Sequence, residues 1–256
     1  MNDWNPSLYM KFEDERTRPA RDLLAQISLE DACAVVDLGC GPGNSSELLG
    51  RRFPEARLTG LDTSEAMLTH ARRRLPLATF VKEDIADWAP KGALDVVFAN
   101  AALQLLPDHE RLFARLASFV RAGGCLAVQM PNSIREASHA AMRIAAAEGP
   151  WARTLVPIAK TRPVIASVNE YYEWLRPLSR RLEIWETTYV HALDGAQGIV
   201  DWFAGSALRP FLEPLDENGR KAFLARYREE LVKDYKPQSD GRILLPYPRL
   251  FIVATR

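Results

Sequence analysis

The chain has no excess of either charge and no long apolar run, and these two absences exclude several classes of protein. Its 256 residues carry 33 basic and 33 acidic side chains, so the formal net charge is zero. A nucleic-acid binder must neutralise phosphates and is normally basic, so we expect no nucleic-acid partner. Apolar stretches such as 94–106 are interrupted by polar residues and are shorter than the roughly 18 residues of a membrane helix, so we expect no membrane partner.

Cysteine is scarce, and its spacing does not indicate a metal site. The three cysteines Cys33, Cys40 and Cys125 match no zinc pattern, and an odd number cannot all form disulfides. The N-terminus has no basic start followed by an apolar stretch, so we expect no export signal. Together these features predict a cytoplasmic protein with reduced thiols and no metal.

Short apolar strands alternate with helical patterns in the first half of the chain. This alternation is typical of βαβ units with a parallel sheet, and the nearly continuous apolar runs indicate strands buried on both faces. We expect two later strands to join the same sheet. The predicted strands are 34–38, 57–61, 79–82, 94–99, 125–130, 182–190 and 249–255.

The alternation stops after Pro131, where a longer stretch without strands begins. Residues 133–148 show an alanine-rich helical pattern, whereas 150–181 are rich in proline and aromatic residues and are predicted to be irregular. We expect an insertion that caps the edge of the sheet where ligands bind in open α/β folds. The predicted division is an N-terminal helical lid at 1–30, a cofactor-binding core at 31–133, a cap at 134–181 and the remainder of the core at 182–256.

The strongest local signal is a glycine loop between the first predicted strand and the following helix. The segment VDLGCGPGNS places Gly39, Gly41 and Gly43 at alternate positions, with Asp37 two residues before the first of them. Glycine has no Cβ, so the backbone of such a loop can approach a ligand closely. A dinucleotide fingerprint requires glycine at position 44, and the presence of Asn44 there disfavours NAD.

Two acids follow the second and third predicted strands. Asp62 can accept hydrogen bonds from both hydroxyls of a ribose. Asp84 can accept one from an exocyclic amine, while Ile85 packs on the face of a purine. With the glycine loop, these residues indicate a site for adenosine without a pyrophosphate.

This set of motifs resembles the class I S-adenosylmethionine-dependent methyltransferases. Their pattern is an acid with three alternate glycines after the first strand and an acid after each of the next two strands. The resemblance covers about residues 34–131. It implies an α/β fold with a Rossmann-like, mostly parallel seven-stranded sheet of order 3-2-1-4-5-7-6, an antiparallel last strand and a mainly helical cap insertion.

The resemblance also implies that the cofactor is S-adenosyl-L-methionine. In that family the glycine loop packs on the methionine part of the cofactor, and Asn100 stands where a main-chain carbonyl usually meets the methionine amine. The predicted cofactor-binding residues are Asp37, Gly39, Gly41, Gly43, Asp62, Thr63, Ser64, Met67, Asp84, Ile85, Asn100, Gln104, Tyr9 and Arg16.

Two features indicate the kind of methyl acceptor. The fourth predicted strand ends with NAALQ, which lacks the two prolines and the aromatic residue that base N-methyltransferases usually carry there. The stretch 150–181 holds six cations and only two acids, although the whole chain is neutral. Because arginine binds a carboxylate bidentately, this excess favours a small anionic acceptor.

Motifs near both ends of the chain narrow the acceptor further. The start reads W-N-P-x-x-Y-x-x-F, and Tyr9, Phe12 and Arg16 share one helical face that can fold over the cofactor. Together with GSALRP at 205–210 and PYPRLFIVA at 246–254, this start makes the chain similar to the trans-aconitate 2-methyltransferases, nearly from end to end. That resemblance implies a monomethyl ester of trans-aconitate as product, and we expect a monomer. The predicted substrate-binding residues are Trp4, Tyr9, Gln104, Arg153, Arg162, Tyr172 and Arg209.

No catalytic residue is predicted, because a carboxylate acceptor is already ionised at neutral pH and needs no general base. Three alternatives stay open at this point. The first is a methyltransferase that acts on another small molecule, such as a different acid, a phenol or a quinone. The second is an NAD-dependent oxidoreductase, and the third is a non-catalytic S-adenosylmethionine-binding module.

Overall fold

A single sheet of seven strands organises the chain in a computed structural model that describes residues 11–256. Strands β1 to β5 run parallel, and β7 is antiparallel to its neighbours β5 and β6 in the order β3-β2-β1-β4-β5-β7-β6. This arrangement confirms the predicted fold class. The strands are β1 Ala34–Leu38, β2 Arg57–Asp62, β3 Thr79–Lys82, β4 Leu94–Asn100, β5 Val120–Pro131, β6 Arg181–Leu193 and β7 Ile243–Thr255.

Helices fill the connections between these strands. Within residues 11–256, no helix combines the length and the apolar character that a membrane span requires. The helices are α1 Glu13–Leu24, α2 Asn44–Arg52, α3 Glu65–Arg74, α4 His109–Ser118, α5 Ala137–Ala147, α6 Ala152–Lys160, α7 Val168–Leu175, α8 Gly195–Ala204, α9 Arg209–Leu212 and α10 Glu217–Asp234, with short 3₁₀ turns at Leu103–Leu105 and Arg176–Leu178.

Alternate residues of the central strands pack into two different apolar layers. Val36 on β1 belongs to a cluster with Phe113 and Leu116 of α4. Val35, the preceding residue, belongs to a cluster on the other face with Leu23 of α1. Each side chain of this size stabilises the fold by about 1.5–3 kcal/mol when it is fully buried. Burial on both faces is the reason why the strands read as continuous apolar runs.

The cap helices and the last helices share a third apolar cluster. It joins Met142 of α5, Trp202 and Phe203 of α8, Tyr227 of α10 and Leu245 of β7. The ladder between β5 and β7 ends at the pair Pro131–Arg249, whereas β7 continues beyond it in pairing with β6. The third cluster is therefore built around a ribbon of β6 and β7 that extends past the carboxyl end of β5.

The prediction that residues 150–181 are irregular is wrong, because this stretch contains α6 and α7. Helix α6 tolerates Pro157 in its interior. Helix α7 begins with a capping box in which Ser167 and Glu170 satisfy each other's backbone N–H groups. The predicted limits of the lid, the core and the cap stay a prediction.

Candidate active site

The glycine loop between β1 and α2 has a backbone that favours glycine. Gly39, Gly41 and Gly43 have φ angles of 68°, 54° and 91°, which lie in the left-handed region. A Cβ on Gly39 would come within 2.4 Å of the Cβ of Ala102, so the loop packs tightly against the turn after β4. Among residues 11–256, a Cβ on Gly41 would meet nothing within 4 Å. The backbone at Gly41 therefore faces open space in which a ligand can lie directly against it.

Asp37 positions this loop from the end of β1. Its side chain is fully buried, and its Oδ2 accepts hydrogen bonds from the hydroxyls of Ser45 at 2.7 Å and Ser46 at 2.6 Å. Burial raises the pKa of Asp37 to about 6, against the effect of the two hydroxyls. Its Oδ1 has no hydrogen-bond partner within residues 11–256. Asp37 therefore holds the first turn of α2 and has one buried acceptor oxygen that no group within residues 11–256 satisfies.

Asp62 at the end of β2 connects the glycine loop to α3. One carboxylate oxygen accepts the N–H of Gly41 at 2.9 Å, and the other accepts the N–H of Ser64 at 2.8 Å. Ser64 in turn caps α3 by accepting the N–H of Met67, while Thr63 is exposed beside them. An ionised carboxylate has about four acceptor sites, so Asp62 can also receive the hydroxyls of a ribose.

The loop after β3 approaches the same place. Asp84 is exposed and accepts the N–H of Ala86 at 2.8 Å. Ile85 is buried, and its Cδ1 lies 3.8 Å from the Cβ position of Gly39. Arg115 of α4 donates hydrogen bonds to the carbonyl of Ile85 at 2.5 Å and to another carbonyl of this loop. The sequence did not indicate Arg115, because its partners are backbone atoms about thirty residues away.

Two amides lie at the end of β4. Asn100 pairs in register with Gln129 of β5, and Gln104 donates a hydrogen bond to the carbonyl of Ala101 at 2.7 Å. The buried Asn100 Oδ1 and Gln104 Oε1 find no partner in the described part of the chain. Ala101 has a φ of 54°, a strained value for a residue with a Cβ. The end of β4 thus holds two unsatisfied acceptors next to a strained turn.

Helix α1 is connected directly to the glycine loop. The side-chain amide of Asn44 donates hydrogen bonds to Glu13 at 2.9 Å and to Thr17 at 3.0 Å. Arg74 of α3 forms an ion pair with the same Glu13 at 2.5 Å. Arg16, predicted to bind the cofactor, donates to the backbone carbonyl of Trp202 at 2.9 Å. The predicted residues Trp4 and Tyr9 lie outside the described residues.

The predicted substrate arginines are not brought together as one group. Arg162 is half-buried, donates to the carbonyl of Ala207 at 3.3 Å, and burial lowers its pKa. Arg209 forms an ion pair with Glu213 at 2.9 Å one turn along the chain. Arg153 is exposed on α6. The structure therefore places Arg162 and Arg209 near α9 and leaves Arg153 in solvent.

Tyr172, the remaining predicted substrate residue, is 46% exposed on α7. Its neighbour Tyr171 is fully buried and is hydrogen-bonded to a ring nitrogen of His109 at 2.5 Å. Burial raises the pKa of the Tyr171 hydroxyl, so it stays neutral. The aromatic residues of the cap are thus divided between the core and the surface.

A buried polar pair on the apolar strands β5 and β7 was not predicted from the sequence. Gln129 and Arg249 are 0% and 3% exposed, and Nη1 of Arg249 donates to Oε1 of Gln129 at 3.0 Å. The guanidinium lies 4.9 Å from the ring centre of Tyr247. A single polar residue within each apolar strand pattern was the signal that could have found them.

A broad cleft at the opposite edge of the sheet does not contribute to this site. It is lined by the first residues of four strands, Ala34, Arg57, Thr79 and Leu94. Ligands of open α/β sheets bind at the carboxyl ends of the strands. We therefore assign the candidate site to the carboxyl edge, where the glycine loop and both amides lie.

The sheet order, the glycine loop and the strand-end acids together define a Rossmann-like methyltransferase. A family model described as "Methyltransferase domain" matches residues 35–124. A trans-aconitate 2-methyltransferase of Methylobacterium nodulans is 55% identical to this chain, covering 100% of it and 99% of that protein. One of Yersinia pestis is 51% identical, covering 99% and 98%. The chain belongs to the family of trans-aconitate 2-methyltransferases.

Solved structures agree with this assignment at the level of the fold. The YcgJ protein from Bacillus subtilis has a TM-score of 0.60 at 10% identity, covering 93% of this chain and 98% of that chain. A chain from the complex of the Haloferax volcanii Trm112 methyltransferase activator and a methyltransferase has a TM-score of 0.54 at 22% identity, covering 96% and 92%. The predicted enzyme class, an S-adenosylmethionine-dependent methyltransferase, and its cofactor are confirmed by the family.

Proposed function

We propose that the protein transfers a methyl group from S-adenosyl-L-methionine to one carboxylate of trans-aconitate and forms a monomethyl ester. The observation that carries this proposal is identity of 51–55% over nearly full length with enzymes named trans-aconitate 2-methyltransferase. The proposal includes action as a monomer in the cytoplasm, without a nucleic-acid partner.

The residues after β1, β2 and β4 fit the cofactor. The open backbone face at Gly41 accommodates its methionine part, and Asp62 accepts the ribose hydroxyls. The unsatisfied oxygens of Asn100 and Gln104 suit the methionine ammonium, which only donates. When bound, the cofactor supplies an electrophilic methyl group on a positively charged sulfur. The proposed set is completed by Asp37, Gly39, Gly43, Thr63, Ser64, Met67, Asp84, Ile85, Tyr9 and Arg16.

The chain contributes alignment and exclusion of water to this reaction. An acceptor carboxylate is already ionised, so no residue has to remove a proton. Holding it in line with the methyl group lowers the barrier by up to about 7–11 kcal/mol in well-oriented cases. A tricarboxylate loses much hydration on binding, so cations and hydroxyls must meet its other carboxylates. The residues proposed for this task from the sequence are Trp4, Tyr9, Gln104, Arg153, Arg162, Tyr172 and Arg209.

Transfer of labelled methyl groups to a panel of acceptors tests the proposed function. We expect trans-aconitate to give a product heavier by one CH₂ group and a phenol or a quinone to give none. The mass and the fragmentation of the product locate the new ester. Transfer to a phenol or a quinone, with none to any carboxylic acid, would contradict the proposal and support the alternative acceptor class.

A further inference from the structure

The buried pair Gln129–Arg249 lies beside the cofactor end of the sheet. Gln129 is in register with Asn100, and Arg249 pairs with Pro131 two residues further along β5. While Oε1 of Gln129 accepts the Arg249 guanidinium, the fully buried Nε2 of Gln129 has no partner within residues 11–256. A buried donor without a partner is unfavourable, because it has lost its hydrogen bonds to water. Its place at the carboxyl edge indicates a ligand acceptor that would satisfy it.

Positive charge dominates the surroundings of this pair. His191 of β6 is buried against Trp202, and its Nε2 has no hydrogen-bond partner in the part of the chain that the structure describes. Burial and the nearby arginines, of which Arg249 acts most strongly, lower the pKa of His191 to about 4. Asp22 of α1 accepts the hydroxyl of Tyr189 at 2.5 Å, and the ring of Tyr189 lies 5.9 Å from the Arg249 guanidinium. The pair is therefore suited to an anion.

A second cationic group lies under the cap. Burial and the charges of Arg162 and Arg143 lower the pKa of His139 to about 3, so the histidine stays neutral beside them. Both His139 Nδ1 and the hydroxyl of Tyr227 are buried without a hydrogen-bond partner in the described chain. The group again combines cations with unsatisfied polar atoms.

Tyr247 connects the two groups. Its ring lies 4.9 Å from the guanidinium of Arg249 and 6.0 Å from the ring of Phe203. Phe203 in turn contacts His139 at 5.0 Å between ring centres. Nη1 of Arg162 lies 3.8 Å from the sulfur of Met142, which is about one turn from His139 on α5. The two groups are thus neighbours around one aromatic side chain.

We propose that the Gln129–Arg249 group and the Arg162 group bind two different carboxylates of one di- or tricarboxylate acceptor, with Tyr247 between them. The inference rests on the proposed function and names the residues that select its acceptor. Gln129 is paired with Asn100 across β5 and β4, so the Gln129–Arg249 group would hold one carboxylate of the acceptor beside the methyl donor. A monocarboxylate would leave one group unsatisfied, and sites built for polar groups reject ligands that lack them.

Equilibrium binding of trans-aconitate is the first test. Calorimetry in the presence of S-adenosylhomocysteine compares the wild type with Arg249→Met, Arg249→Lys and Arg162→Met. We expect Arg249→Met to weaken trans-aconitate binding by about 10–100-fold, because the variant removes a charge-assisted hydrogen bond to the carboxylate. Arg249→Lys keeps the charge and much of the packing but loses the planar guanidinium, so we expect a smaller loss of trans-aconitate affinity. It replaces Arg249→Met in this test if that variant does not fold. Arg57→Met, at the opposite edge of the sheet, is the matched control.

Acceptor selectivity is the second readout. The ratio of kcat/KM for trans-aconitate to that for crotonate, a monocarboxylate, should fall at least about tenfold in Arg162→Met, because crotonate has no second carboxylate for this group, whereas Arg249→Lys should lower kcat/KM for both acceptors. Affinity for S-adenosylhomocysteine should stay within a factor of about three, since these residues are assigned to the acceptor. Unchanged trans-aconitate binding and unchanged selectivity in folded variants would overturn the inference and leave the proposed function intact. Wild-type protein that binds trans-aconitate through these arginines without methylating it would overturn the proposed function alone.

Discussion

The two halves of the sheet's carboxyl edge differ in charge and in how that charge is held. In the half formed by β1 and β2, Asp37 and Asp62 are surrounded by hydroxyl and backbone N–H donors. In the half formed by β5, β6 and β7, Arg249 lies among aromatic rings and beside the neutral His191. A chain with zero net charge thus separates its acids from its arginine along this edge, as the proposed binding of a cationic cofactor on one side and an anionic substrate on the other requires.

Neutral amides lie between these halves. Asn100 ends β4 and Gln129 faces it on β5. The strands β4 and β5, which carry these amides, lie between the acids on β1 and β2 and the arginine on β7.

The largest effect on ligand affinity is expected from a substitution in the glycine loop, which belongs to the half formed by β1 and β2. Gly41→Ala would place a methyl group in the open space proposed for the cofactor and should lower its affinity by more than about 100-fold. The left-handed backbone adds about 1–2 kcal/mol of destabilisation. Calorimetry with S-adenosylmethionine and a thermal melt measure the two effects separately.

Gly39→Ala is the comparison for that variant. Its Cβ would come within 2.4 Å of Ala102, so stability should fall by more than in Gly41→Ala. If Gly41→Ala kept the cofactor affinity of the wild type, the glycine loop would not be the cofactor site.

A smaller loss is expected when the acid that connects the loop to α3 is removed. Asp62→Ala deletes the acceptor of the Gly41 and Ser64 N–H groups and of the proposed ribose contact, so affinity for S-adenosylmethionine should fall about 10–100-fold. Trans-aconitate should still bind, because the basic half is unchanged. Unchanged calorimetric affinity for the cofactor in folded Asp62→Ala would contradict the assignment.

The pH dependence of stability sharpens the comparison, because the two halves respond in opposite directions. The folded pKa of His191, about 4, lies below its ordinary 6.5, so its contribution to stability is complete above pH 6.5 and is lost as the pH falls towards 4. This loss amounts to about 3 kcal/mol at most. His191→Phe should flatten the pH dependence of the free energy of unfolding in urea over that range.

Asp37 contributes with the opposite sign. Its folded pKa of about 6 lies above the ordinary 3.8, so stability falls as the pH rises from about 4 to 6. Asp37→Asn keeps an acceptor for the serine hydroxyls and should remove this decrease. His70→Gln on the exposed surface of α3 is the control, and an equal effect in this variant would contradict both assignments.

The smallest effect is expected from Arg209→Ala. Arg209 already forms an ion pair with Glu213, and such partly exposed pairs contribute about 0–1 kcal/mol. The KM for trans-aconitate should rise by less than about fivefold, and the KM for the cofactor should not change. Steady-state kinetics measure both, and an identical acceptor KM would remove Arg209 from the substrate site.

The clustering of Asp37, the glycine loop and Asp62 at one edge of the sheet could be predicted from the sequence, because these residues end or directly follow their strands. Gly39 and Asp62 are found from local patterns alone, and a strand-end position fixes their place at the edge. The sheet order was predicted from the family that those motifs resemble. The capping box at Ser167 was also visible in the sequence, and applying it would have predicted α7.

The residues of the half formed by β5, β6 and β7 could not be predicted in the same way. Gln129 and Arg249 are 120 residues apart, and they meet only because β5 and β7 pair in one particular register. The excess of cations in the predicted cap favours an acceptor with negative charge, but it does not indicate which of the arginines are buried. In the structure, Arg162 is half-buried, whereas Arg153 is exposed to solvent.

Asn44 has a consequence for how such a chain could change its cofactor. It occupies the position where a dinucleotide fingerprint has glycine, and its amide holds α1 through Glu13 and Thr17. Replacement by glycine would restore that fingerprint but would remove two hydrogen bonds between α1 and the loop. Evolution or engineering towards NAD would thus have to rebuild the attachment of the N-terminal helix at the same step, which makes the present cofactor choice hard to reverse by single substitutions.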